Sequence, residues 1–298
     1  MKSGFICIAG IPNAGKSTLI NSLVGEKVAI VSWRPQTTRN KIIGVVNTED
    51  AQVVFIDTPG IHRARNKLGE YMMQSVASGL KGVDGALYVI DAAKGVKEED
   101  ENFLNENAGK IPVVVALNKT DAVTKETVFR SLEKLNGFSS VRAVVPVSAK
   151  KGENLAPLME EVEKLLPEGD ALYPEDMYTD STMRFMAAEI IREKALYLLD
   201  KEVPYGIGVY INKFAPREDK PIWDVDADIV CERQSHKAIV IGKGGGTLKK
   251  IATAAREDLE ELTGAKVFLT LYVKVKSEWR ESDYLMRELG YDVKDLKN

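Results

Sequence analysis

Five short apolar runs punctuate the first half of the chain, at residues 5–9, 53–56, 85–91, 112–117 and 144–147. They are rich in Val and Ile and do not alternate with polar residues, so each reads as a strand buried on both faces. Between them lie helical patterns; Leu19, Ile20 and Leu23, for example, share one helical face. Buried strands separated by helices predict an α/β unit, a mostly parallel sheet covered by helices on both faces. Leu155, Leu158, Met159, Val162, Leu165 and Leu166 predict a closing helix over 154–166, stopped by Pro167-Glu168-Gly169-Asp170.

The pattern then changes. A helix is predicted over 183–199, alternating strands over 207–211 and 225–230, a helix over 247–262 and a last strand over 267–273. The run Ala238-Ile239-Val240-Ile241 reads locally as strand. This second block is a smaller α+β unit. The expected boundary divides the chain into residues 1–174 and 175–298.

Composition narrows the picture only a little. With 298 residues, 44% hydrophobic and 29% charged, the chain is long enough for two globular domains. The net charge of −3 argues against a generic polyanion binder. Its distribution is more useful: residues 151–181 hold two Lys and nine acidic residues, an acidic segment between two balanced blocks. The first apolar run is too short for a secretory signal, and no run approaches a membrane span. Cys7 and Cys231 are expected to be buried free thiols in a reducing, cytoplasmic setting.

The first block carries chemistry. Gly10-Ile11-Pro12-Asn13-Ala14-Gly15-Lys16-Ser17 fits the phosphate-cradling P-loop pattern, between a strand and a helix that begins at about Thr18. Small residues let backbone N–H groups wrap a phosphate, and the helix N-terminus favours the same anion. Lys16 adds a point charge, and the Ser17 hydroxyl is a hard ligand for Mg²⁺. The strand over 53–56 ends in Asp57-Thr58-Pro59-Gly60, where Asp57 can serve Mg²⁺ and the Gly60 amide can sense a γ-phosphate. The strand over 112–117 ends in Asn118-Lys119-Thr120-Asp121. A carboxylate at Asp121 can accept from N1–H and the exocyclic amine of guanine together, which adenine cannot satisfy. Ser148-Ala149-Lys150 then forms a loop expected to touch the base through backbone amides.

These motifs, in this order, resemble the translation-factor class of GTPases. The resemblance implies GTP or GDP as ligand, with Mg²⁺ held by Ser17, Thr38 and Asp57. Thr38 is favoured over Thr37 as the threonine that closes on the metal. It implies catalytic roles for Lys16, Thr38, Asp57, Gly60 and Asn13. Ile61 stands where many such enzymes carry a water-orienting Gln. In a subgroup with this substitution, an Asn placed like Asn13 holds K⁺; the alternative is that Asn13 only shapes the turn.

In the second block, Ile241-Gly242-Lys243-Gly244-Gly245 between an apolar run and a helix resembles the signature of a KH domain of the prokaryotic type (type II). That resemblance makes 238–241 a short helix, against its local strand reading. Residues 237–251 contain Lys237, Lys243, Lys249 and Lys250 and no acid, so these four with Ile241, Gly242, Gly244 and Gly245 are the expected RNA-binding residues. Trp279 and Tyr284 read as packing rather than stacking residues.

A P-loop block followed by a KH block resembles the Era family of bacterial ribosome-assembly GTPases. The resemblance implies binding near the 3′ end of small-subunit ribosomal RNA, action on the 30S subunit, a monomer, a cytoplasmic location and peripheral membrane association. No lipid motif or basic amphipathic helix accompanies the membrane part. Against this stand two other readings: an RNA chaperone whose nucleotide pocket is structural, and a tRNA-modification or double-G-domain GTPase.

Overall fold

A computed structural model describes residues 1–296. The chain divides into two compact units. One comprises 1–63 and 72–180, the other 64–71 and 181 onward.

In the first unit the five apolar runs become β1 (Lys2–Ala9), β3 (Ala51–Asp57), β4 (Gly85–Asp91), β5 (Val113–Asn118) and β6 (Val141–Pro146). A sixth strand, β2 (Ile42–Asn47), was not anticipated; it pairs antiparallel with β3 at the edge of the sheet. The order is β2-β3-β1-β4-β5-β6, and all other pairs are parallel.

Neighbouring strand residues point to opposite faces, and two cores result. Ile6, Ile8, Phe55 and Val89 pack with Leu19 and Ile20 of α1 (Lys16–Val24) and with Leu158 and Val162 of α5 (Leu155–Glu163). On the other face Cys7, Tyr88, Ile90 and Val115 pack with Phe103 and Leu104 of α3 (Glu98–Glu106) and Leu135 of α4 (Lys125–Leu135). The helix α2 (Lys67–Gly79) lies between β3 and β4 in sequence. Both cysteines are buried free thiols, and desolvation pushes Cys7 up to about 12.

The segment after α5 stays with the first unit as far as Asp180 because polar bonds hold it there. Gln52 of β3 is fully buried; its Nε2 donates to Asn47 Oδ1 and the Tyr173 carbonyl, and its Oε1 accepts from the amides of Leu172 and Tyr173. Asn47 Nδ2 also donates to the Glu175 carbonyl, and the Val45 amide to the Tyr178 carbonyl. The acidic linker is thus strapped to the β2–β3 hairpin.

The second unit holds α6 (Met183–Leu198), β7 (Gly208–Pro216), β8 (Ile222–Cys231), α7 (Gln234–Ile241), α8 (Gly246–Thr263), β9 (Lys266–Val275) and α9 (Asp283–Glu288). The sheet order is β7-β8-β9, with β7 antiparallel and β9 parallel to β8. Residues 238–241 are helical, not extended; His236 and Val240, one turn apart, are its buried side chains. Trp279 is fully buried, donating Nε1–H to the Gly206 carbonyl at 2.9 Å, whereas Tyr284 is exposed.

Gln52→Leu keeps the volume of the strap's anchor but leaves buried amides and a carbonyl without their partner. The expected loss is about 2–4 kcal/mol in urea unfolding of the first unit, with faster proteolytic cutting in 167–180. A loss of under about 0.5 kcal/mol, the size of an ordinary surface substitution, would show that the strap is not held by this residue.

Candidate nucleotide and nucleic-acid sites

The nucleotide-site residues come from the C-terminal ends of β1, β3 and β5 and the loop after β6, where a mostly parallel sheet places its ligands. Gly15 has φ 98°, and a Cβ on it would lie 2.3 Å from Asn118 Nδ2. Only glycine allows that approach. Lys16, buried, donates from Nζ to the carbonyls of Gly10 and Ile11 at 3.0 and 3.2 Å. Thr18 follows in the first turn of α1. The Ile61 amide donates to the Gly10 carbonyl at 3.1 Å, which brings the segment after Gly60 against the loop.

Ser17, Thr38 and Asp57 converge. The Ser17 and Thr38 hydroxyls are 2.7 Å apart; Ser17 donates to Asp57 Oδ2 at 3.1 Å and Thr38 at 3.5 Å. Thr37 turns away and donates to the Arg34 carbonyl. Asp57 Oδ1 is buried without a hydrogen-bond partner. An unpaired carboxylate oxygen beside two hydroxyls is a set of hard oxygen donors suited to Mg²⁺.

Burial dominates the charges here. Desolvation raises Asp57 to about 6, opposed by Lys16 and by the hydroxyls of Ser17 and Thr38. Desolvation lowers Lys16 to about 8, opposed by Asp57 and Cys7. A phosphate on Lys16 and a divalent cation on Asp57 would each favour the charged form that burial disfavours.

On the base side Asn118 is a buried splice. Its Nδ2 donates to the Ala14 carbonyl, and its Oδ1 accepts from the amides of Lys119 and Ala149. The Ala149 amide, expected to face a base, is therefore engaged within the protein, because a buried amide oxygen must find donors. Lys119 Nζ donates to the Asn13 carbonyl at 2.7 Å and to Asp91 Oδ2 at 2.8 Å. Asp91 is a functional neighbour that motif reading missed; its signal was its place at the end of β4, matching Asp57 and Asn118 on β3 and β5. Asp121 is exposed, and the Ser148 hydroxyl donates to it at 2.7 Å, holding its carboxyl below the usual range. Lys150 is exposed beside them. Asn13 Nδ2 donates to the Trp33 carbonyl at 2.9 Å.

In the second unit Gly242–Gly245 links α7 to α8. Gly242 has φ 72° and ψ 173°, and a Cβ there would meet Thr247 Oγ1 at 2.3 Å. Lys243, Lys249 and Lys250 are exposed, and Lys237 and Ile241 are half-buried. Ala238 and Ile239 are exposed on α7 and supply an apolar surface beside the loop.

Fold and site together define a GTPase of the P-loop class joined to a KH domain. The model of the 50S ribosome-binding GTPase family matches residues 5–119, and that of the KH domain matches 202–280. The chain is 48% identical over 297 residues to GTPase Era of Caldicellulosiruptor saccharolyticus, covering 99% of each. It is 47% identical over 295 residues to GTPase Era of Clostridium kluyveri, covering 98% of this chain and 99% of the relative. A solved variant of Aquifex aeolicus Era bound to GDP and AlF4⁻ superimposes with TM-score 0.94 at 39% identity, covering 98% and 100% of the two chains. Era in complex with MgGDPNP and nucleotides 1506–1542 of 16S ribosomal RNA gives 0.93 at 40% identity, with the same coverage. The chain belongs to the Era family of GTPases, enzymes that hydrolyse GTP to GDP and phosphate.

Replacing Asp121 by Asn exchanges an acceptor for an amide that can donate. GTP affinity should fall about a hundredfold or more while XTP binding is gained, since a site built for one hydrogen-bond pattern rejects its complement strongly. Competition of labelled GDP by each nucleotide reads both; unchanged GTP affinity would remove Asp121 from the guanine site.

Proposed function

We propose that this chain is a GTP-gated RNA-binding factor of small ribosomal subunit assembly. It binds GTP and GDP with Mg²⁺ through the first unit and binds RNA near the 3′ end of 16S ribosomal RNA through the second. The observation that carries the reading is one chain holding both the Ser17–Thr38–Asp57 cluster and an exposed Gly242–Gly245 loop ringed by lysines. The ribosomal RNA in the complex of an Era relative supports the choice of RNA.

In this reading Gly10, Asn13, Ala14, Gly15, Lys16, Ser17 and Thr18 hold the phosphates, and Asn118, Lys119, Asp121, Ser148, Ala149 and Lys150 hold or frame the base. Ser17, Thr38 and Asp57 hold Mg²⁺, which supplies charge neutralisation at the phosphates. Thr38 and Gly60 lie on the two segments that respond to the γ-phosphate. On the RNA side, backbone at Gly242, Gly244 and Gly245 lets a sugar–phosphate chain approach. Lys237, Lys243, Lys249 and Lys250 supply charge, and Ile239 and Ile241 supply apolar surface. The reading places a monomer in the cytoplasm on the 30S subunit; contact with the membrane surface rests on family resemblance alone. Among the described residues no helix is long and apolar enough to cross a membrane.

Two measurements test it. Lys243→Asp with Gly244→Asp puts two negative charges on the loop where space is open, and Asp is one of the few residues that accept the φ of 59° at Gly244; Gly242 is avoided because its Cβ would strike Thr247. Affinity for the 3′-terminal segment of 16S RNA, read by anisotropy, should fall at least about tenfold with GTP binding unchanged. Equal RNA affinity in a folded variant would end the KH reading of the loop.

The second concerns potassium. Asn13 Nδ2 is used by Trp33, so the atom it offers a cation is Oδ1. GTP turnover should be faster in K⁺ than in Na⁺ at equal ionic strength, and Asn13→Ala should erase the difference. Equal rates in both salts would leave Asn13 as a turn-shaping residue.

A further inference from the structure

The sheet of the second unit has a second face. Val225, Ala227, Ile229 and Cys231 of β8 point into the core. The residues between them point the other way, and the strand register sets their neighbours. Tyr210 and Tyr272 flank Asp228, Lys213 and Thr270 flank Asp226, and Ala215 and Phe268 flank Asp224. One end of this outer face is covered, because a Cβ at Gly208 would meet Leu289 and Trp279. The rest is bare: Tyr210 is 42% exposed, Phe268 58% and Tyr272 56%. Three large rings therefore stand in water as single platforms on one face, the form that base stacking uses.

Charge on this face is layered. Asp224 pairs with Lys213 at 2.9 Å and Arg217 at 2.6 Å, and Asp228 pairs with Lys274 at 2.7 Å. The carboxylates are sunk, with side chains 16% and 5% exposed, while Lys213 and Lys274 stand at 52% and 56%. Asp226, half-buried opposite Lys213, adds a third carboxylate to the floor. The Arg217 guanidinium lies 5.3 Å from the centre of the Phe268 ring. The surface presented to solvent is therefore rings and cation heads.

That combination suits one class of partner. Tyr210 and Tyr272 are two strand spacings apart, roughly 10 Å, and Phe268 is four residues from Tyr272, roughly 13 Å. No two can stack on the same base, and polar rows separate them. Splayed bases need one flat ring each, with cations for the phosphates between.

We infer that the outer face of the β7-β8-β9 sheet is a second single-stranded RNA surface, where Tyr210, Phe268 and Tyr272 stack bases and Lys213, Arg217 and Lys274 meet phosphates. It rests on the reading of this unit as an RNA binder but uses none of the residues of the Gly242–Gly245 loop.

The test uses the full chain and an oligouridylate probe, because stacking tolerates any base. Four proteins are compared by anisotropy: the parent, the Lys243→Asp/Gly244→Asp loop variant, a Tyr210→Ala/Phe268→Ala/Tyr272→Ala face variant, and the combination. The face variant should bind at least about tenfold more weakly than the parent. The loop variant should keep residual binding that the combination loses. Thiouridine-substituted probe should crosslink to Tyr210, Phe268 or Tyr272 in the unaltered chain, a readout that needs no variant to fold. If the folded face variant binds as the parent does and no crosslink maps to these rings, the inference is wrong. If RNA affinity is unchanged but sedimentation shows that the face variant has lost self-association, the face is a protein interface and the inference is equally overturned. A face variant that loses binding beside a loop variant that does not would sink the loop assignment and leave this surface standing.

Discussion

The first unit depends on one buried amide. Asn118 ends β5, and its side chain meets three backbone groups: the Ala14 carbonyl and the amides of Lys119 and Ala149. Those groups belong to the P-loop, the base loop and the loop after β6. Each is far in sequence from at least one of the others. Leaving any of them unpaired in a buried setting costs more than making the bond gains. Lys119 adds a second tie by spanning Asn13 and Asp91. Asn13 and Lys119 both have positive φ, a conformation that persists where surrounding bonds over-determine it.

That scaffold surrounds two buried charged groups, Lys16 and Asp57. Lys16 and Asp57 are charged groups in a desolvated place, moved in opposite directions by burial. Each is offset only in part by the other and by hydroxyls. A phosphate on Lys16 and a divalent cation on Asp57 would each offset the cost of burial, so ligand and ionised site would reinforce one another. The β2–β3 hairpin lies between the Thr38 and Asp57 segments and carries the linker through Gln52.

The second unit exposes backbone at one loop. Gly242 tolerates no side chain because Thr247 fills that space, while Gly244 and Gly245 face open space. On the opposite side of the sheet, sunk carboxylates hold lysines and an arginine in place among exposed rings. Inside the unit, Arg192 is buried and paired with Glu189 one turn away on α6.

What the sequence determined by itself was local. The P-loop spacing, the carboxylate at Asp57, the Asn118–Asp121 reader and the Gly242–Gly245 loop are legible because consecutive residues act together on one turn. The buried strands β1, β3, β4, β5 and β6 are legible because burial on both faces leaves unbroken apolar runs. Tertiary structure alone decided the rest. The edge strand β2 is six residues long and its burial does not alternate cleanly, so its periodicity is weak. Gln52, Asp91 and the outer face of β7-β8-β9 acquire meaning only through partners distant in sequence. Hydrogen-bond partnership and sheet register are set by pairing between remote segments, and a single chain read in order carries no direct record of them.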